Sequence, residues 1–249
     1  MSRLRRDDGF TLVELLVTML LGTIVLGGLL GLVTTSERAG KRVSDRVDAA
    51  QRGRTGMEQI SQALRAMVCL PAPASGAAVP TPIVEADATR VKWYANLDRS
   101  ATADANGDGD PTYDPQQRQL RIVGTPPAKV SVVEDRWTGA LPVPGTTAAS
   151  SSRVVIDGIV PSTDDGVTVP YFAYYGLASD GVAYEALTPA QITAAPGRVV
   201  RIDVSFRALP SSKTQATTVS QRPGADMRTS VYARQVNRSA TPPIYGCVV

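Results

Sequence analysis

The 249-residue chain contains no histidine, so it lacks the commonest general base and the commonest metal ligand. A Ser-His-Asp arrangement is therefore excluded outright. Cysteine is scarce as well: Cys69 and Cys247 are the only two, and no C-x-x-C spacing occurs. That removes a redox pair and a zinc knuckle. Glycine-rich phosphate loops are missing, because Gly107-Asp108-Gly109 carries negative charge where a phosphate would sit. The formal charge of +3 is too mild to argue for nucleic acid by itself. A Ser–Lys dyad would need Lys92, Lys129 or Lys213 beside a nucleophile, and no motif places one there. The adjacent acids Asp164-Asp165 and Glu134-Asp135 read as turns and surface charge rather than as glycosidase pairs. The sequence is not that of an enzyme.

The informative residues cluster near the amino terminus. A basic leader with Arg3, Arg5 and Arg6 ends at Gly9; an apolar run then extends from Phe10 to Val33, broken by one acid, Glu14. As a helix these 24 residues span about 36 Å, enough for a hydrocarbon core of about 30 Å. A carboxylate near the membrane centre costs about 2.5–3.5 kcal/mol, so a lone one marks a functional site whose partner should be nameable. Positive residues stay cytoplasmic, which turns the bulk of the chain outward. A secretory signal would instead carry a shorter apolar core followed by a small-residue cleavage site. Gly27-x-x-x-Gly31 is either a close-packing face for another helix or a point of local flexibility.

Gly9-Phe10-Thr11-Leu12-Val13-Glu14 resembles the cleavage and methylation signal of type IV pilins and type II secretion pseudopilins. The resemblance implies that prepilin peptidase cuts after Gly9 and methylates Phe10, leaving a mature chain near +2. It also implies that Glu14 pairs with the amino terminus of a neighbouring subunit during filament assembly. Opposite charges attract far more strongly in low dielectric than in water. The implied fold is α+β and pilin-like, a long N-terminal helix packed on an antiparallel β-sheet head. A leader (1–9), a transmembrane and filament-core helix (10–33), an amphipathic continuation (34–70) and an extracytoplasmic head (71–249) follow in order. A head of this size is similar to those of the larger minor pilins and pseudopilins at filament tips. Partners implied are the peptidase, sibling subunits and the membrane, with no cofactor required.

Past Thr34 the pattern turns charged and amphipathic, and Val43, Val47, Met57, Ile60, Leu64, Met67 and Val68 form a stripe expected to dock on the chain's own sheet. The helix should reach about Cys69 and stop before Pro71, with Gly53 and Gly56 as bends. Residues 71–80 form a Pro/Ala-rich loop. Strand-like runs follow at Arg90–Ala95, Gln119–Val123, Lys129–Glu134, Arg153–Asp157, Val167–Tyr175, Val182–Ala186, Arg198–Arg207 and Arg228–Val236. In one of them Val200, Ile202, Val204 and Phe206 share a face opposite Arg201, Asp203 and Ser205. Tyr171-Phe-Ala-Tyr-Tyr175 is similar to a central strand of the family's heads.

Three further sites complete the inventory. Asp104-Ala-Asn106-Gly-Asp108-Gly-Asp110, with Asp114, opens like the D-x-N-x-D-G calcium loop. Its twelfth position is Pro115 rather than glutamate, so the choice lies between a weak Ca²⁺ site and a solvated acidic turn. An outward-facing chain with two cysteines fits one Cys69–Cys247 disulfide, the alternative being two buried free thiols. Arg118, Arg121, Arg198, Arg201, Arg207, Arg222, Arg228, Arg234 and Arg238 would suit a DNA-binding surface or simply solvated strand faces.

Overall fold

An uninterrupted helix, α1 (Leu12–Arg65), carries both the apolar run and the amphipathic stretch after it. The computed structural model describes residues 11–68, 82–95, 116–125, 129–137, 147–178, 182–211, 224–232, 236–237 and 244–245. The chain divides into two units, residues 1–44 and 45–249.

In the first unit every described residue is exposed. The helical ladder satisfies the backbone, and the hydroxyls turn inward to it: Thr18 donates to the Leu15 carbonyl (2.9 Å), Thr23 to that of Leu20 (2.8 Å), Thr34 and Thr35 to that of Gly31. A helix whose polar side chains bond to its own backbone is suited to lipid, where no water could do so. It is long and apolar enough to cross a membrane.

The second unit packs residues 45–65 of α1 on a nine-stranded sheet. Its strands are β1 (Ile83–Asp87), β2 (Arg90–Ala95), β3 (Gln116–Val123), β4 (Val130–Trp137), β5 (Ser151–Val160), β8 (Phe172–Leu177), β9 (Tyr184–Ala186), β10 (Arg201–Ala208) and β11 (Ala225–Tyr232). Between them lie the hairpin β6 (Thr163–Asp164)–β7 (Val167–Thr168) and a short helix α2 (Pro189–Ala194); β12 (Val236–Asn237) and β13 (Ile244–Tyr245) pair with each other. The spatial order is β1-β2-β3-β4-β5-β10-β8-β9, with β11 along the other edge of β10, and every pairing is antiparallel. The fold is therefore the α+β arrangement of a long helix on an antiparallel sheet. Ile60, Leu64, Trp93, Leu120, Phe172 and Phe206 form its fully buried centre. Each such side chain contributes about 1.5–3 kcal/mol by leaving water.

Several local expectations are revised. Helix α1 ends at Arg65 rather than near Cys69, because Met67 bridges to Ala95 and the Val68 amide donates to the Tyr94 carbonyl at 2.9 Å. The chain leaves the helix to run beside β2. Val43 and Val47 do not dock on the sheet; they are 65% and 50% exposed. Gly53 and Gly56 do not bend α1. Both are buried at its contact with the sheet, where a Cβ at Gly56 would lie 2.7 Å from Ile156 Cδ1. The run Val167–Tyr175 splits into β7 and β8 around Pro170, which has no amide to give a ladder. Strand β8 is next to the end of the sheet rather than central. Asp164-Asp165 is indeed a turn: Asp165 and Gly166 both have positive φ (48° and 79°), the two-residue hairpin geometry. Glu134 and Asp135, by contrast, are buried in β4.

Candidate functional site

The helix begins at the acid. Thr11 precedes the first helical residue and Glu14 is the third, the spacing of a capping box. The Glu14 amide donates to Thr11 Oγ1 at 3.3 Å, while Glu14 Oε2 accepts from the Thr11 amide at 3.4 Å and the Thr11 hydroxyl at 3.3 Å. A helix start leaves four amide N–H groups without intrahelical partners, and this reciprocal pair satisfies two of them. The carboxylate also stands at the positive end of the helix macrodipole. Both bonds use Oε2, and a carboxylate has a second oxygen with which to meet another donor. Thr11 was not foreseen as part of the site, although T-x-x-E is a legible capping signature.

Gly9 and Phe10, the expected cleavage and methylation positions, lie outside the described residues, as do Cys69, Cys247, Asp104, Asn106, Asp108, Asp110 and Asp114. Among the described residues no group of three or more acids or cysteines could hold a metal.

The arginines considered for DNA can be placed where they are described, and each of the six meets an acid of its own chain. Arg118 reaches Glu134 at 2.8 Å, Arg121 meets Asp135 at 2.5 Å, Arg198 meets Glu185 at 2.8 Å and Arg201 meets Asp203 at 3.0 Å. Arg207 and Arg228 lie 3.7 and 3.3 Å from Asp226 and Asp164. A phosphate backbone would have to displace a carboxylate at every one. Arg201 also stacks 3.8 Å from the Tyr175 ring centre.

Glu134 is the centre of a buried arrangement, accepting from Arg118 and, at 2.6 Å, from Arg153. Burial alone pushes its carboxyl up, but the hydrogen bonds from Arg118 and Arg153 and the charges of both together outweigh burial and hold it below the ordinary glutamate range. On the opposite face of β4, Asp135 takes Arg121 and the Ser152 hydroxyl (2.6 Å). Lys92, one of the candidate dyad lysines, is buried with its ammonium 4.8 Å from the Trp137 ring centre. These charges brace the sheet.

A second polar cluster joins α1 to the sheet's end. Arg52 donates to the Leu209 carbonyl (3.0 Å), the Asp157 carbonyl (2.9 Å) and the Asp157 carboxylate. One turn earlier, Asp48 accepts from the Ser211 amide (2.6 Å) and hydroxyl (2.8 Å). A bulge in β5 makes this possible: Val130 and Val132 of β4 face Ile159 and Ile156, so β5 carries an extra residue there. Gly158, at φ +67°, absorbs the left-handed turn.

Residues 4–30 match the sequence profile of the Prokaryotic N-terminal methylation motif. No curated protein and no solved structure gives a significant match to the chain. The matched segment contains the capped acid and most of the membrane-length apolar helix, so the amino-terminal segment of the chain is similar to the methylation motif that type IV pilins and pseudopilins carry.

Proposed function

We propose that this protein is a minor pilin or pseudopilin, held in the membrane by residues 10–33, cleaved after Gly9, methylated at Phe10 and incorporated at or near the tip of a filament. The observation that carries the reading is the pairing of the methylation motif with a helix whose residues 12–44 are all exposed and, Glu14 apart, carry no charge up to Val33. Such a surface is stable only in lipid or against other helices. The size of the β-rich unit supports a minor subunit over a main building block, and the pairing of Arg118, Arg121, Arg198, Arg201, Arg207 and Arg228 with acids counts against DNA as a direct ligand of that face.

In this reading Glu14 has two separable jobs. Its cap to Thr11 organises the helix start, and its charge meets the ammonium of a neighbour. Glutamine at the third helical position preserves a capping box while abolishing the charge. The test compares Glu14→Gln and Glu14→Ala in the native envelope, reading the mature amino terminus by mass spectrometry and filament incorporation by immunoblot. Both variants should be cleaved to a methylated Phe10, and both should fail to enter filaments. Glu14→Gln assembling like the wild type would eliminate charge pairing and leave capping as the residue's role. A native chain that begins at any residue other than Phe10 would end the pilin reading itself.

A further inference from the structure

Three strands of the large sheet have a neighbour on one side only: β1, β9 and β11. An open strand edge offers its ladder N–H and C=O groups to any passing chain, and proteins blunt such edges by making them short, bulged or proline-bearing. Two of the three are treated in this way. Strand β9 is three residues long, and β1, at five, has its register broken between Ile83 and Glu85. Strand β11 is not. It has eight residues, Ala225–Tyr232, without proline or glycine, and an unbroken register with β10 from Arg201↔Tyr232 to Ala208↔Ala225. Among the described residues, β10 alone exchanges backbone hydrogen bonds with it. Its side chains alternate: Met227 and Val231 pack on the core, while Asp226, Arg228, Ser230 and Tyr232 are exposed.

From this we infer that the outer edge of β11 is an interaction surface and that its occupant is β11 of a second copy of this chain, paired antiparallel about Met227. In strand addition the main chain supplies affinity and the side chains choose the partner. Here the charge order chooses. Directly opposed residues of two antiparallel strands share a face, and opposite charges there stabilise while like charges destabilise. The strand reads Asp226-x-Arg228, which is its own complement when reversed. With Met227 opposite its own counterpart, Asp226 of each copy faces Arg228 of the other, and Ala225 faces Thr229. Centred on Arg228, the same strands would oppose two arginines; centred on Thr229, they would leave both charges facing neutral side chains. A parallel pair in register would set like against like at both positions. Both charges are available: their side chains are 58% and 57% exposed, with Asp226 3.7 Å from Arg207 and Arg228 3.3 Å from Asp164. A guanidinium has five N–H donors and a carboxylate two oxygens, so the second copy adds a contact without displacing these. The inference concerns the sheet alone and does not rest on the filament reading.

Two differently tagged full-length chains, made together in the membrane of a host without filament machinery and extracted in mild detergent, test this by co-purification. Wild-type chains should recover one another. Asp226→Arg sets arginine against Arg228 at both contacts, and Arg228→Asp sets acid against Asp226; each variant paired with itself should recover about tenfold less partner. Asp226→Arg made together with Arg228→Asp restores two opposite-charge contacts, and recovery should return to the wild-type level. That rescue separates pairing from folding, and the surface ion pairs lost within each chain carry little stability of their own. Wild-type chains that do not co-purify would overturn the second copy as occupant. Single variants that pair with themselves as well as the wild type does would place the contact elsewhere, and a mixture no better than the single variants would overturn the register. None of these results bears on cleavage after Gly9, which is read at the mature amino terminus.

Discussion

Replacing Gly56 with alanine places a carbon 2.7 Å from Ile156 Cδ1 and 2.8 Å from Ile156 Cβ. Rotating the isoleucine moves Cδ1 away, but its Cβ moves only with strand β5, so helix or sheet must shift. On an exposed helix the same change would be worth about 1 kcal/mol of stabilisation through propensity. Overpacking a filled core costs about 1–3 kcal/mol, so here the clash wins by up to about 2 kcal/mol. For a unit of about 200 residues each kcal/mol moves Tm by about 2–4 °C, giving an expected fall of up to about 8 °C. Gly53→Ala should cost less, because its nearest neighbours at 2.9 Å are the flexible Met227 Cε and Cγ, with Ala208 Cβ at 3.0 Å. The assay is thermal unfolding of full-length protein in detergent micelles, followed by the β-sheet circular dichroism signal. Gly56→Ala melting at or above the wild-type temperature would refute the claim that these glycines exist for close approach of helix and sheet.

Two further perturbations probe the charges. Glu134→Ala strands Arg118, whose side chain is only 6% exposed, without its carboxylate; breaking a buried pair in this way costs about 3–5 kcal/mol. Its denaturant midpoint should therefore fall further than that of Gly56→Ala at unchanged slope, and an equal midpoint to wild type would show that the triad is not buried as described. The carboxyl of Asp48 is held below the usual aspartate value first by the Ser211 amide bond and then by its hydroxyl. A depressed carboxyl stabilises above its unfolded pKa and loses that contribution as pH falls through the folded one. Thus Asp48→Asn should melt below wild type at pH 6, with the gap closing below about pH 4; a gap that stays constant down to pH 2 would contradict the assignment.

What could be read from sequence followed from local periodicity and from charge. Alternation in Arg198–Phe206 placed Ile202, Val204 and Phe206 on the buried face, where they lie, because a half-buried strand repeats every two residues. The apolar run and its single acid were legible because few arrangements tolerate such a pattern. Val43 and Val47 were misassigned for a physical reason: periodicity reveals that a helix has an apolar face but not which partner covers it. Glu134 and Asp135 were mistaken for surface charge since their partners, Arg118, Arg153 and Arg121, come from neighbouring strands and only pairing register brings them together. Gly53 and Gly56 look like breakers in isolation; their use depends on the distance to Ile156 and Met227. Helix α2 was passed over although Thr188 and Gln191 form a capping box. Six residues are too few for the apolar repeat that would have flagged them.

The cap at the start of α1 alters how Glu14 should be understood energetically. An acid at the centre of a bilayer costs about 2.5–3.5 kcal/mol, but Glu14 is the third residue of its helix and so belongs near one end of the spanning segment. There the side chain satisfies an amide that lipid could not, an effect worth about 0.5–2 kcal/mol at helix starts. It also favours the macrodipole by about 0.3–1 kcal/mol. Together these come to about 0.8–3 kcal/mol, which offsets part of the burial cost for a helix in lipid. Under the function proposed above, the ammonium of a neighbour then has less of this cost to offset, and more of its free energy goes to assembly. This is why glutamine, which keeps the cap without the charge, separates the two roles: storage and cleavage should survive the substitution, and only entry into the filament should be lost.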